Sequence, residues 1–413
     1  MAPAHSPSCR LCGAPLTETL VDLGVSPPCE SYLSVEQLDD PEPFYPLHVR
    51  ICGRCLLVQL DEHLAPEEIF TEYAYFSSYS DSWVAHARAY AEAMVERLGL
   101  TERSLVVELA SNDGYLLRHF VERGVPSLGV EPARNVAGAA RALGIETLVE
   151  FFGSRLARRL AAQGRRADLL VANNVLAQVP ALNDFVAGME VALAPGGVAT
   201  VEVPHLVRLI EGLQFDTIYH EHFSYFSLGT LVRLFRQQRL EVFDVEELAT
   251  HGGSLRVFLA RAADGRPVSG RVPELLERER AAGYDRLEGY GGFSGRVEEA
   301  RWALLELLVS LRRQGKRIAG YGAPGKGNTL LNYCGIRTDL VEYTVDRNPY
   351  KQGKFLPGTR IPVYPPERIA ETRPDYVLVL PWNLREEIES QLSYIRAWGG
   401  RLIVPIPRAE VLP

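Results

Sequence analysis

The chain has 413 residues, and its 44 Lys and Arg against 52 Asp and Glu leave a formal charge of −8, which gives no support to a sequence-independent grip on nucleic-acid phosphates. With 46% hydrophobic and 23% charged residues, the composition suits large cores and excludes a disordered or fibrous chain. At roughly 100 to 200 residues per domain, the length predicts two large domains and one small one.

Residues 1–8 lack a charged stretch followed by an apolar one, and no window approaches the roughly 20 apolar residues of a membrane span. A cytoplasmic protein with no membrane partner is expected. Four of the six cysteines then fall in two tight pairs. Cys9-Arg10-Leu11-Cys12-Gly13 and Cys52-Gly53-Arg54-Cys55 each carry two sulfurs across a knuckle relieved by glycine, and four sulfurs fill a tetrahedral zinc completely. With no position open for water or substrate, the site is expected to be structural. The alternative is two unrelated reduced pairs. Thirty-nine residues separate the pairs, so an insertion containing Pro27-Pro28 and Pro41 to Pro46 must loop out and return. Cys29 and Cys334 read as buried free thiols. The run EYAYFSSYSDSW (72–83) either lines a site or caps and packs the helix predicted after it.

From Ser104, apolar runs alternate with helical stretches: SLVVELA, YLLRHFVERG, PSLGVEP, NVAGAARALG. This is a parallel-sheet rhythm. The first strand ends in the small-residue turn Glu108-Leu109-Ala110-Ser111-Asn112-Asp113-Gly114. The next ends in Glu131, 23 residues after Glu108, where a carboxylate can accept both ribose hydroxyls of an adenosine. ADLLVANN runs into Asn174 through Gln178, and ALAPGGVATVEVP supplies a turn and strand beyond the next helix. The ordered set resembles class I AdoMet-dependent methyltransferases, and the resemblance implies that Glu108, Ala110, Ser111, Asn112, Gly114, Glu131, Pro132 and Asn174 bind AdoMet. Ala110 stands where such enzymes usually carry the first glycine of the turn. On the turn alone, a dinucleotide-binding fold competes.

Three of the nine histidines gather in Val203-Pro204-His205 and Tyr219-His220-Glu221-His222-Phe223-Ser224-Tyr225. The run lacks the HExxH spacing that puts two imidazoles on one helical face, so acid–base work is expected rather than zinc chemistry. Carbon methylation lacks a nucleophile. Removing a proton beside a carbonyl takes a base with a pKa near neutrality and a donor for the enolate oxygen. The alternative is a polar helix start with hydrogen-bonded imidazoles.

A charged helical stretch is predicted near 271–314, then KRIAGYGAPGKGNTLLN turns from strand to helix. Gly320-x-Gly322-x-x-Gly325 is a formal dinucleotide fingerprint, with Asp346 21 residues beyond it; a dehydrogenase would place a pyrophosphate on the loop and ribose on Asp346. Lys351 and Lys354 either add charge there or sit on a solvated loop. Linkers are expected near 70–80 and 265–300.

The knuckles, the cofactor turn, YHEHFSYFS, HGGSLR (251–256), GYGAPGKGN and PWNLREEI together resemble the sugar-nucleotide C-methyltransferases of deoxysugar pathways, most closely the TDP-sugar C-3'-methyltransferases, over essentially the whole chain. The resemblance implies an α/β protein with a small N-terminal four-cysteine zinc domain (1–75), a central class I AdoMet methyltransferase Rossmann-like domain (76–265) and a C-terminal Rossmann-like α/β domain that binds the sugar nucleotide (266–413). It implies AdoMet and a structural zinc on Cys9, Cys12, Cys52 and Cys55, and C-methylation of a TDP-linked 4-keto deoxysugar at C3, in antibiotic deoxysugar biosynthesis, by a monomer. Residue by residue, it makes His222 the general base, Tyr219 and Glu221 its neighbours, and Tyr73 a tyrosine near the reacting sugar. Gln178, Ser254, Arg256, Gly325, Lys326 and Asp346 become substrate contacts. Where the family run commonly reads NVLAHV, this chain has Gln178, so a second imidazole is missing and a hydrogen-bonding role remains. Competing readings are C5-methylation, an NAD-dependent sugar-nucleotide oxidoreductase, and a non-catalytic sugar-nucleotide-binding protein. The negative charge speaks against a zinc-finger RNA methyltransferase.

Overall fold

A computed structural model describes residues 7–71 and 76–412; Tyr73 and Tyr75 lie outside the described residues. In chain order the strands are β1 (Glu18–Ser26), β2 (Tyr45–Ile51), β3 (Val58–Leu60), β4 (Val106–Leu109), β5 (Ser127–Val130), β6 (Thr147–Leu148), β7 (Ala167–Asn173), β8 (Leu193–Pro204), β9 (Ser224–Tyr225), β10 (Leu240–Leu248), β11 (Ser254–Arg261), β12 (Ile318–Tyr321), β13 (Thr344–Val345), β14 (Val363–Tyr364), β15 (Tyr376–Val379), β16 (Arg401–Val404) and β17 (Glu410–Val411). The helices are α1 (Pro66–Phe70), α2 (Asp81–Leu98), α3 (Leu117–Val121), α4 (Arg134–Ala142), α5 (Ser154–Ala162), α6 (Leu182–Ala192), α7 (Leu206–Glu211), α8 (Leu228–Gln237), α9 (Arg271–Ala281), α10 (Phe293–Arg313), α11 (Gly325–Cys334), α12 (Arg368–Thr372) and α13 (Arg385–Gln391).

One compact unit comprises Met1–Glu18, Ile51–Leu206 and Glu221–Gly289. Its sheet runs β10-β11-β8-β7-β4-β5-β6. Strands β4 to β8 are parallel, and β11 is antiparallel to both neighbours. Alternate residues feed two cores. Val107 and Leu109 pack with Leu156, Phe185 and Val186, whereas Val106 packs with Tyr90, Met94 and Phe120. Burial on both faces is why the parallel strands read as unbroken apolar runs. A single reversed strand in an otherwise parallel seven-stranded sheet is the class I methyltransferase arrangement. Strand β4 has β5 on one side and β7 on the other, and such a switch point is where open α/β sheets hold ligands, beyond the carboxyl ends. Leu11, Leu16 and Leu57 of the cysteine knuckles belong to the same core as Leu176 and Ala177, so the knuckles have no core of their own.

The other unit comprises Thr19–Arg50, Val207–His220 and Tyr290–Pro413. Its sheet runs β14-β13-β12-β15-β16, all parallel, with β17 antiparallel at the edge. The proline-rich residues between the cysteine pairs fold here: Leu33 bridges to Phe355, and the Glu42 carboxylate accepts the Gly358 N–H at 2.7 Å.

The expected linker over 265–300 is instead largely ordered secondary structure, with α9 and the start of α10 inside it. The glycines that suggested flexibility make a tight turn: Gly283 has φ +87°, and a Cβ on Gly289 would sit 2.1 Å from the Gly283 carbonyl oxygen. No described helix is long and apolar enough to cross a membrane.

Candidate active site

The four cysteines come together. One sulfur from each of Cys9, Cys12, Cys52 and Cys55 lies within 4.8 Å of all the others, and the closest pairs, Cys9–Cys55 and Cys12–Cys52, are 3.5 Å apart. Thiolates about 2.3 Å from a tetrahedral zinc stand about 3.8 Å from one another, so the donor set fits zinc closely. Both knuckles fold alike: Gly13 N–H donates to Cys9 O at 2.8 Å and Leu56 N–H to Cys52 O at 2.9 Å, while Cys9 N–H donates to Ala14 O and Cys52 N–H to Leu57 O. In the second knuckle the left-handed residue is Leu56 (φ 62°), not the expected Gly53. A hydrogen bond shared with Cys55 draws the Cys9 thiol below its ordinary range, and the same bond pushes Cys55 up.

The cofactor turn sits beyond β4. Ala110 (φ 54°), Asn112 (φ 50°) and Gly114 (φ 80°) are all left-handed, so the missing glycine is accommodated as backbone strain of roughly 1 to 2 kcal/mol at Ala110. At Gly114 a side chain would be strained by the left-handed φ and would also press on Ala140 Cβ at 3.3 Å. Glu131 accepts Asn112 N–H at 2.9 Å and Ala133 N–H at 2.8 Å, one on each oxygen, leaving a lone pair on each for other donors. Burial raises Glu131 above the ordinary carboxylate range despite those N–H groups. Burial raises Glu108 far more, with the charges of Glu131 and Asp113 adding to it. Around the turn and the end of β7, buried polar atoms lack a protein partner: Glu108 Oε2, Ser111 Oγ, Asp113 Oδ1, Asn173 Oδ1, and both amide atoms of Asn174. Such orphaned groups at a switch point fit a polar, ribose-bearing ligand such as AdoMet.

The Glu131 geometry carries a prediction. Glu131→Ala leaves two N–H groups unpaired and removes the ribose acceptors, so AdoMet affinity by calorimetry is expected to fall about 100-fold. An unchanged affinity would mean that Glu131 is only a brace for the turn.

Of the three clustered histidines, His205 and His220 are buried. His205 is buried with Nε2 2.9 Å from Glu279, whose carboxylate also accepts Leu228 N–H and Gly229 N–H and so caps α8. His220 is buried with Nε2 3.2 Å from Tyr45 O. His222 is half-exposed, edge-on to Tyr225 at 6.3 Å. Phe223, the residue after His222, donates its N–H to Ala177 O at 2.8 Å, which docks this run on the exit of β7 between Asn174 and Gln178. Tyr219 is half-exposed and Glu221 buried.

Several expected substrate contacts also have partners inside the fold. Ser254 Oγ donates to Thr250 O at 2.9 Å. Arg256 is buried between Glu202 and Glu246 and lies over the Tyr90 ring at 4.7 Å. Asp346 accepts Ala323 N–H at 2.7 Å and Asn348 N–H at 2.8 Å. The start of α11 is closely packed: a Cβ on Gly325 would lie 2.9 Å from Cys29 Sγ and 3.5 Å from a Glu30 carboxylate oxygen. Lys351 is no solvated residue; it is buried, donating to Ala323 O at 2.9 Å and paired with Glu30 at 3.3 Å. Lys326 stays half-exposed, donating to Asn383 at 2.8 Å.

Sequence reasoning missed two clusters. In one, Glu202 on β8 binds His86 at 3.1 Å as well as Arg256; burial raises Glu202, but His86 and Arg256 outweigh it and hold the carboxyl below its usual range. The acidic residue inside the apolar run ATVEVP was the available signal. In the other, Asp216 is fully buried and accepts Trp382 Nε1–H at 2.7 Å. Burial pushes its carboxyl from 3.8 up to about 6, against the charge of Lys326. A carboxyl raised on folding stabilises while protonated, so this contribution is full below pH 3.8 and is lost as pH rises through about 6. The difference is up to about 3 kcal/mol. Asp216→Asn keeps an acceptor for Trp382 and is expected to flatten this part of the melting-temperature profile; an unaltered profile would contradict it.

The sheet order, the turn and the orphaned polar edge define an AdoMet-dependent methyltransferase. Family models match in sequence a zinc binding domain over residues 9–70, a methyltransferase domain over 83–245 and a C-methyltransferase C-terminal domain over 249–407. The chain is 40% identical over 404 residues, 98% of its length and 96% of the relative's, to C-methyltransferase NovU of Streptomyces niveus. It belongs to that family of C-methyltransferases, enzymes that take AdoMet as cofactor and carry a zinc-binding domain. Among solved structures, the PH0226 protein of Pyrococcus horikoshii aligns over 46% of this chain and 95% of its own, at 14% identity and a TM-score of 0.38. A Burkholderia thailandensis 1,6-didemethyltoxoflavin-N1-methyltransferase aligns over 50% and 94%, at 17% identity and a TM-score of 0.35.

Proposed function

We propose that the protein methylates C3 of a TDP-linked 4-keto deoxysugar, with His222 as the base. The observation that carries this reading is the Phe223 N–H bond to Ala177 O, which holds the residue after a half-exposed imidazole at the ligand-holding edge of the methyltransferase sheet. His222 removes the proton beside the ketone. Tyr219 donates to the enolate oxygen, and Glu221 orients the pair. Bound AdoMet supplies an activated methyl on its sulfonium for the carbanion to take up. Glu108, Ala110, Ser111, Asn112, Gly114, Glu131, Pro132 and Asn174 hold and orient that cofactor, and Gln178, Ser254, Arg256, Gly325, Lys326 and Asp346 are the proposed substrate contacts. Much of the rate comes from positioning two bound reactants. Tyr73, outside the described residues, is proposed to act beside the sugar. The family relative is named for carbon methylation, which suits a base-generated nucleophile. The sequence domains 1–75, 76–265 and 266–413, a monomeric state and a cytoplasmic location complete the proposal.

The dehydrogenase alternative meets a closed loop: Ala323 N–H is capped by Asp346 and the start of α11 by Cys29 and Glu30. Calorimetric titration of the zinc-loaded protein with AdoMet, TDP and NAD in turn tests the reading. AdoMet and TDP are expected to bind and NAD not to; NAD binding without AdoMet binding would overturn it.

A further inference from the structure

The first cysteine knuckle reaches the residue next to His222 through the Arg10 side chain. Arg10 lies between Cys9 and Cys12. Its guanidinium donates Nη1 to Phe223 O at 2.9 Å and Nη2 to Leu60 O at 2.6 Å, and lies 5.4 Å from the Phe223 ring centre. The Arg10 backbone is fixed in turn. Its N–H donates to Gln59 Oε1 at 3.0 Å, and the buried Gln59 amide donates to Cys9 Sγ at 3.2 Å and Leu57 O at 3.3 Å. The Asn183 amide holds Arg10 O and Leu11 O at 3.1 and 3.0 Å.

Strand β3 leaves the second knuckle and pairs with β9, Val58 opposite Tyr225 and Gln59 opposite Ser224, and Leu60 N–H also donates to Phe223 O at 3.0 Å. The carbonyl after His222 is therefore held twice by the zinc-binding lobe, while the amide on the other side of Phe223 is held by the exit of β7. A guanidinium can bridge two carbonyls in fixed geometry, which an ammonium cannot.

We propose that Arg10 is a positioning residue through which the metal-bound knuckle sets the place of His222. Zinc fixes Cys9, Cys9 and Gln59 fix Arg10, and Arg10 with β3 fixes Phe223. The zinc lobe is thus part of the catalytic frame as well as a fold support. The proposal rests on His222 as the base, and the readouts separate the two ideas.

The test uses the full-length, zinc-loaded enzyme with Arg10→Met, which keeps the stem, and Arg10→Lys as the conservative variant. Zinc content, AdoMet and TDP affinities, hydrogen exchange of residues 219–227, and kcat and KM are measured. Arg10→Met is expected to keep its zinc, bind both ligands within about twofold, and lose exchange protection at Phe223 and Ser224. Its kcat is expected to fall about 10- to 100-fold at little-changed KM, the effect of displacing a reacting group by about 1 Å. Arg10→Lys falls between it and the wild type. Removing zinc from the wild-type protein by chelation is expected to raise exchange in 219–227, which keeps the test available if Arg10→Met does not fold. Unchanged protection and kcat in Arg10→Met, or exchange in 219–227 that ignores zinc removal, would overturn the proposal. Lost protection in Arg10→Met beside full turnover in His222→Asn would leave the coupling standing and sink the base assignment instead.

Discussion

His222→Asn is expected to lose about 10²- to 10⁴-fold in C-methyl transfer, the range a positioned general base supplies. Asparagine keeps a polar side chain of similar reach but cannot accept a proton near neutrality. The backbone at this point is held independently of the imidazole, since the hydrogen bonds come from the Phe223 N–H and carbonyl. The substitution should therefore leave the segment in place and AdoMet and TDP affinities close to wild type. A drop in kcat with both ligands still bound locates the defect in the chemical step. Near-normal turnover with both ligands bound would remove His222 from the chemistry.

Cys52→Ser is expected to release the zinc and to lower the melting temperature on the order of 10 °C, corresponding to a few kcal/mol in a domain of this size. The sulfur is fully buried, and the knuckle's leucines share the main core of the methyltransferase unit. Loosening the knuckle therefore reaches beyond it. Zinc content by metal analysis and scanning calorimetry are the readouts. A zinc-free variant that melts like the wild type would show that the four sulfurs contribute nothing to stability.

Much of this was legible in the chain. The strand and helix rhythm from Ser104 matches β4 to β8 and their helices because a sheet buried on both faces must be spelled in continuous apolar runs. The paired cysteines and the Ala110–Gly114 turn were readable because each needs particular residue types at fixed spacing. What was not legible was who spends the polar groups. Arg256, Ser254 and Asp346 have Glu202, Thr250 and the Ala323 amide as partners, set by tertiary packing with no local signature. Residues 19–50 joining the second unit was equally invisible, as was Arg10 clasping a carbonyl 213 residues away. The glycine-rich GYDRLEGYGG read as a linker because glycine serves loose and tight turns alike.

The most direct measurement is the position of the transferred methyl. The enzyme would be incubated with methyl-¹³C AdoMet and a TDP-linked 4-keto deoxysugar, and the product examined by proton–carbon correlation NMR. The account predicts a labelled methyl bonded to C3, formed by wild-type enzyme and lost with His222→Asn. A label on oxygen or on C5, or C3 product formed equally well without His222, would contradict it.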